Sequence, residues 1–462
     1  MVNKLFIYPV HLLFLLGFTF VSAAYANQID YASANQQAKL AAEPKNSLTS
    51  IHQHKLSLDA LITKAIQQDL WLKSNQLSEQ AANAQSIAVD NWADPNFSLA
   101  LANVPIDSLS LNQEGMTQVK FGVSQMLPRG DSQHIQHQQW QNVAAQHPIQ
   151  RQLRQLQLTQ QISLLWLEYT LAQQIEQRIN QDQVLFEQMV ELAKARYASA
   201  IGQTRQQDII RAELELSQLH EKRLLQQQKQ QNIQAQLAQW LPDIFSYQVD
   251  TTAAEIVLNQ PDISTSWRFQ QMPVIKKLMQ HPQVQLLDNQ FKSRELDVQL
   301  SEQAYKPHWM VNASYAYRAD GVQMDRADFV SVGVSFDWPI FASNKQDQNN
   351  KAAIAKAEAV KTDKQLLLQT MYGQALAAAE SYLLLQQRHQ LYQDTLLDQS
   401  KQQAQAAITA YTNDDGDFAE VVRARIGELN THIQSLQLHT QKLQKVVQLN
   451  YFFPVHSIQE AN

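Results

Sequence analysis

The sequence predicts a mainly α-helical fold with a small β part. A helix–hairpin–helix unit is built twice, and its four strands belong to a barrel that one chain cannot close. Three observations lead there. Glycine occurs only 10 times in 462 residues, where average usage gives roughly 30, so turns are few and the regular elements are long. Residues TQVKFGVSQMLPRG (117–130) and DFVSVGVSFDWPIF (328–341) alternate apolar with small or polar side chains and then meet a proline. Matching segments recur in the same order at an offset of about 212 positions: ADPNFSLALANVP with YKPHWMVNASYAY, and RYASAIGQTRQQDIIRA with AYTNDDGDFAEVVRA.

The elements follow in order. Residues 1–26 read as a signal peptide, with Lys4 in the positive n-region, Leu5 to Val21 as the apolar run and Ala24-Tyr25-Ala26 as the cleavage pattern. Residues 27–55 are polar and aperiodic and predict a flexible arm, in which His52 and His54 read as solvated. The first repeat, 56–240, predicts a helix over 56–91, strands at 97–104 and 117–127, a very long helix over 129–200, a turn near Gly202 and a helix over about 206–240. Residues 241–272 predict an irregular connector that Trp267 and Phe269 can pin down. The second repeat, 273–453, predicts a helix over about 274–304, strands at 308–318 and 328–338, a long helix over 344–411, a turn around Gly416 and a helix over 418–450. Residues 454–462 form a tail.

The helical stretches are rich in Gln, Ala and Leu, which suit long helices with narrow apolar seams. Each long helix spans roughly 100 Å at 1.5 Å per residue, too long for a compact domain. Ile209, Ala212, Leu216, Leu219, Ile233, Leu237 and Trp240 follow coiled-coil spacing, and Val422, Leu429, Leu436, Leu443 and Val446 repeat it. Pro148 predicts a kink or a break in the first long helix.

On the strands, Phe97, Leu99 and Leu101, then Val119, Phe121 and Val123, point one way. Trp309, Val311, Ala313, Tyr315 and Tyr317, and Val330, Val332, Val334, Phe336 and Trp338, do the same in the second half, against Ser, Gly, Asn and Ala on the other face. The helices have their seams committed to one another, so lipid is the expected neighbour of the apolar face and water that of the other. A bilayer tolerates no open sheet edge, and four strands cannot enclose a water-filled lumen. Copies of the chain must therefore complete the barrel, most simply by cyclic symmetry.

This arrangement resembles the TolC-type outer-membrane efflux proteins. The likeness covers the repeated plan, the strand-then-proline junctions and the RY-x-x-x-x-G…D-I-I-R-A segment at 196–212, which is similar to the family's helix-turn-helix tip. It implies a homotrimer with a 12-stranded outer-membrane β-barrel and a hollow periplasmic α-barrel, placing most of the chain in the periplasm of a Gram-negative bacterium. It also implies work as the exit duct of a tripartite pump, with a periplasmic adaptor (membrane fusion) protein and an inner-membrane transporter of the resistance-nodulation-division (RND) type as partners. Segments 93–107 and 115–131 resemble the heavy-metal (CusC/CzcC-like) branch, some of whose members carry an N-terminal lipidated cysteine that this chain lacks. An exit channel for protein secretion, or a soluble periplasmic coiled-coil adaptor, are the alternative readings.

The turns put Tyr197 and Asp208, with Tyr411 and Glu420, near the periplasmic end. By resemblance, Asp208 and Glu420 stand at the acidic aperture, and Tyr411 at a position that holds the closed state by hydrogen bonding. The second turn departs from the family: Gly416 replaces a basic residue among Asp414, Asp415 and Asp417, and Arg423 stands where a second acid is expected. A Glu420–Arg423 pair is available at i,i+3. His134 with His137, and His432 with His439, have metal-like spacing but gain no acidic or cysteine ligands, and Met116, Met126 and Met310 read as packing. No catalytic motif is present, no enzyme activity, cofactor or resident metal is expected, and the net charge of −6 gives no cause to expect nucleic acid as a partner.

Overall fold

A computed structural model describes residues 55–198, 206–250, 256–260, 262–321, 324–413 and 416–455. The predicted signal peptide, the arm up to His54, Gly202, Asp414, Asp415 and residues 456–462 lie outside them.

Ser57 starts the first helix, α1 (Leu58–Gln68), by accepting a hydrogen bond from the Ala60 amide at 3.3 Å. Leu58, Leu61 and Ala65 are buried from one face of it. The single helix expected over 56–91 is in fact two. Asp69 is extended, ends α1, and caps α2 (Leu70–Val89) by accepting from the Trp71 amide at 2.9 Å, while Arg154 holds its other oxygen at 2.7 Å. The strands β2 (Asn96–Ala102) and β3 (Gln118–Met126) follow, and then the 67-residue helix α3 (Ser132–Ala198).

Helix α3 continues unbroken through Pro148. Polar clamps hold it on both sides of the proline. Arg151 reaches Glu79 of α2 at 2.6 Å, and Asn142 donates to the Asn289 carbonyl of α6 (Pro282–Gln303) at 2.9 Å. Helix α4 (Gln206–Leu237) returns along α3.

The described part of the connector holds some regular structure. β4 (Gln248–Val249) pairs in parallel with β1 (Lys55–Leu56), so Lys55 belongs to a small sheet rather than to the arm. Trp267 is buried edge-on against Phe453, with ring centroids 5.4 Å apart. Phe269 is 88% exposed and, among the described residues, pins nothing down, against expectation. Its neighbour fills the available slot, lined by Val274 and Leu278 of α5 (Gln271–Leu278) and by Phe452.

The helix expected over 274–304 is likewise interrupted. His281 ends α5's turn and Pro282 starts α6, a position where a proline's missing N–H costs nothing. Strands β5 (His308–Tyr317) and β6 (Phe329–Asp337) lead into α7 (Ala342–Leu391), a π turn at Tyr392–Leu396, α8 (Leu397–Thr412) and α9 (Phe418–Phe452).

The apolar residues gather into three clusters along the helices. One surrounds Leu61, Trp166 and Leu237; the Trp166 indole donates to the Asp250 carbonyl at 3.0 Å. Another surrounds Trp267, Met371 and Phe452. The third joins the last turns of α3 and α8 to the first turns of α4 and α9. The four longer strands form one antiparallel sheet in the order β2-β3-β5-β6.

Candidate functional site

The sheet is the first candidate. Directly opposed residues in an antiparallel ladder share a face, so the register decides which side chains lie together. One row reads Leu99, Phe121, Tyr315, Val330; the next reads Phe97, Val123, Ala313, Val332. Leu101, Val119 and Tyr317 extend this face at one end, and Val311 with Val334, then Trp309 with Phe336, extend it at the other. Every predicted apolar position falls on that face or, for Trp338, just beyond the strand. Among the described residues no helix covers it: Leu99 is 76% and Val332 74% exposed, with Val119 and Val123 half-buried. The opposite face carries Ser98, Gly122, Ser314 and Ser331, then Asn96, Ser124, Asn312 and Gly333. Gly122 lies close beneath Ser98, whose Oγ would stand 2.6 Å from a Cβ at that position.

Where strand becomes helix, the two halves are tied together. Arg129 pairs with Asp337 and donates to the Ala304 carbonyl at 3.2 Å, and Lys306 pairs with Asp131 at 2.9 Å. Lys306 holds the Asp131 carboxyl below the usual carboxylate range. Gly130 adopts a φ of +53° between them, and Lys306 and Gln303 fill the space a Cβ would need.

The helix ends form the second candidate. Tyr411 is buried, its ring 5.4 Å from Phe418 and 4.4 Å from the Arg196 guanidinium. Arg196 also donates to the carbonyls of Tyr411 at 3.0 Å and Thr412 at 3.3 Å, joining the end of α3 to the end of α8. Around them Phe186, Val190, Ala193, Ala212, Val421 and Val422 pack into one cluster. Asp208 is buried near the start of α4, while Tyr197 is half exposed. Asp417 caps α9, accepting from the Ala419 amide at 3.2 Å. Glu420 and Arg423 pair at 2.7 Å on the exposed first turn. Farther along, Asp182 and Glu428 are buried with Arg178 and Arg425 as their partners; burial raises the Asp182 pKa.

No protein-family model matches this sequence, and no curated protein does either. Solved structures do match. The outer membrane protein VceC of Vibrio cholerae aligns with a TM-score of 0.69 at 14% identity, over 86% of this chain and 95% of that one. The CmeC outer membrane channel of Campylobacter jejuni gives 0.67 at 14% identity over 86% and 85%. CusC, described through its transmembrane channel formation, gives 0.70 at 14% identity over 86% and 91%. The fold is that of the outer-membrane channels.

Within this channel fold, the structure brings Tyr411, Glu420, Arg423 and Asp417 to one helix–turn–helix end, with Asp208 at the start of the neighbouring helix of the other half. Two features escaped the sequence reading. Arg196 was visible only as half of an Arg-Tyr pair, because its partners lie more than two hundred positions away. Asp417 read as one acid among several, although Asp417 followed by Glu420 is the pattern of a helix start. The histidines pair differently from their spacing: His439 lies 5.1 Å from His389, while His137 Nδ1 meets the Ser86 carbonyl at 2.7 Å. Among the described residues, no group of three His, Cys, Asp or Glu side chains is placed to hold a metal.

Proposed function

We propose that this chain is the outer-membrane exit duct of a tripartite efflux pump, passively conducting substrate from the periplasm to the outside. One observation carries the reading: a four-stranded sheet with one continuous apolar face that the described residues leave bare and an opposite face made mainly of small and polar side chains. Only lipid on one side and water on the other suits both faces. The duct is read as a homotrimer, each chain lending four strands to a 12-stranded barrel whose lipid-facing positions run from Phe97 to Trp338. Residues 56–240 and 273–453 act as its two repeats, behind a signal peptide at 1–26. A periplasmic adaptor and an inner-membrane RND transporter supply substrate and energy.

Glu420 is read as the aperture acid, with Asp414, Asp415 and Asp417 adding negative charge around the axis and Arg423 moderating it. Three copies of such a turn attract cations into a narrow passage. Tyr197, Asp208 and Tyr411 frame the closed state. Heavy-metal cations are the preferred cargo, supported by the likeness of segments 93–107 and 115–131 to that branch. Drug export is the competing outcome.

The test is reconstitution. Full-length protein extracted from outer membranes should give discrete conductance steps in planar bilayers, and a deletion strain should become sensitive to metal salts. Recovery in the washed soluble periplasm, with no conductance, overturns the duct. Sensitivity to drugs without sensitivity to metals overturns the cargo alone.

A further inference from the structure

Besides Phe329 opposite Ala316, the polar face of the sheet carries a row that does not fit it. Met126 of β3 stands directly opposite Met310 of β5, on the side shared with Ser124, Asn312 and Ser335. Directly opposed Cβ atoms lie about 5 Å apart, and the flexible thioether stems let both sulfurs reach a common point. His308 is two residues before Met310 on the same face, diagonal to Met126 and within reach of a long side chain. Met126 is 48% exposed, so packing does not account for it. A face otherwise chosen for water gains nothing from two neighbouring thioethers.

We propose that Met126, Met310 and His308 form a binding site for a soft monovalent cation, Cu(I) or Ag(I), at the helix-side end of the sheet. Two thioethers and an imidazole are a soft donor set that prefers such ions over Mg²⁺, Ca²⁺ or Na⁺. The nearby guanidinium of Arg129 is neutralised by Asp337, and the Lys306 ammonium by Asp131. The carboxylates are thus occupied with these cations, and the neutral donors are left to take the metal. The site rests on the duct reading only for its position in the lumen.

The probe is silver nitrate in chloride-free buffer, added to the full-length protein in detergent. Hydrogen peroxide oxidises exposed methionines to sulfoxides, and peptide mass spectrometry reads each position. One equivalent of Ag(I) per chain should slow oxidation of Met126 and Met310 at least fivefold. Met116 and Met324, which are also exposed, should be unaffected. Protection of all four alike, or of none, overturns the site. The double variant Met126→Leu with Met310→Leu should retain at least tenfold less silver on dialysis; wild-type retention also overturns it. If that variant fails to fold, the wild-type footprint decides. Bilayer conductance of the same preparations reports separately on the duct, which survives failure of the metal site.

Discussion

Adjacent residues on β6 give the sharpest test of the two-solvent sheet. Val332 lies on the apolar face, opposite Ala313, and Ser331 lies on the polar face, opposite Ser314. The apolar rows run from Trp309 to Tyr317 along β5, roughly 27 Å at about 3.4 Å per residue. With a strand tilt near 40°, this gives an apolar band roughly 20 Å tall, close to the ~25 Å of outer-membrane barrels. The Ala313–Val332 pair falls at its middle. An arginine at mid-membrane on a lipid-facing position costs about 2–4 kcal/mol. Val332→Arg should therefore weaken folding into lipid by about thirty-fold to nearly a thousand-fold per chain, at ~1.4 kcal/mol per tenfold. Ser331→Arg extends into water and should cost less than about 1 kcal/mol, with its effect appearing in ion selectivity instead. Urea titrations of folding into vesicles measure the first quantity, and bilayer reversal potentials the second. If Ser331→Arg proves as damaging as Val332→Arg, the assignment of faces is wrong.

Three further outcomes follow from local geometry. Gly130→Ala places a Cβ where Lys306 and Gln303 already sit, at a φ of +53°, and should cost about 1–3 kcal/mol in urea denaturation. Arg196→Ala removes a cation–π contact and two carbonyl bonds, a loss of about 2 kcal/mol; amide exchange at 406–413 should speed at least tenfold. His281 is fully buried, and burial lowers its pKa to about 4. The unfolded chain therefore takes up the proton first: stability is complete above pH ~6.5 and falls toward pH ~4, by about 3 kcal/mol in all. Thermal unfolding against pH should show that decline in the wild type, and His281→Asn should flatten it.

The strands were legible because a period of two survives even in short segments: all four were bounded to within two residues. The long helices were legible from composition and seam spacing. Their interruptions were not. Asp69 breaks a helix by capping the next one, a choice fixed in part by Arg154, which lies 85 positions away. Pro282 was a local stop signal, but the apolar pattern on either side reads as continuous. Pro148, the stronger-looking breaker, interrupts nothing because polar clamps from α2 and α6 hold the turns beside it. At the helix ends, sequence located the acids, while the contact of Arg196 with Tyr411 exists only once α3 and α8 lie side by side.

The edges of the sheet separate the duct from its soluble rival. Among the described residues, β2 and β6 have no strand on their outer sides. Soluble proteins protect such edges with prolines, bulges or inward charges. Strand β2 (NFSLALA) has none of these across seven residues, and in β6 (FVSVGVSFD) the one charge, Asp337, closes a nine-residue strand. A water-soluble coiled-coil adaptor would thus expose two sticky edges together with a bare apolar face, a combination that invites aggregation. The same edges fit a closed ring of copies. β2 and β6 run in opposite directions, so in such a ring β6 of one chain would meet β2 of the next as an antiparallel pair. Keeping one face apolar then requires odd-numbered positions of β2 to oppose even-numbered positions of β6. A register shifted by one would oppose apolar positions such as Leu99 to polar ones such as Ser331, so that the apolar face of one chain ran on into the polar face of the next. The alternation that specifies each strand within a chain thereby restricts how neighbouring chains join.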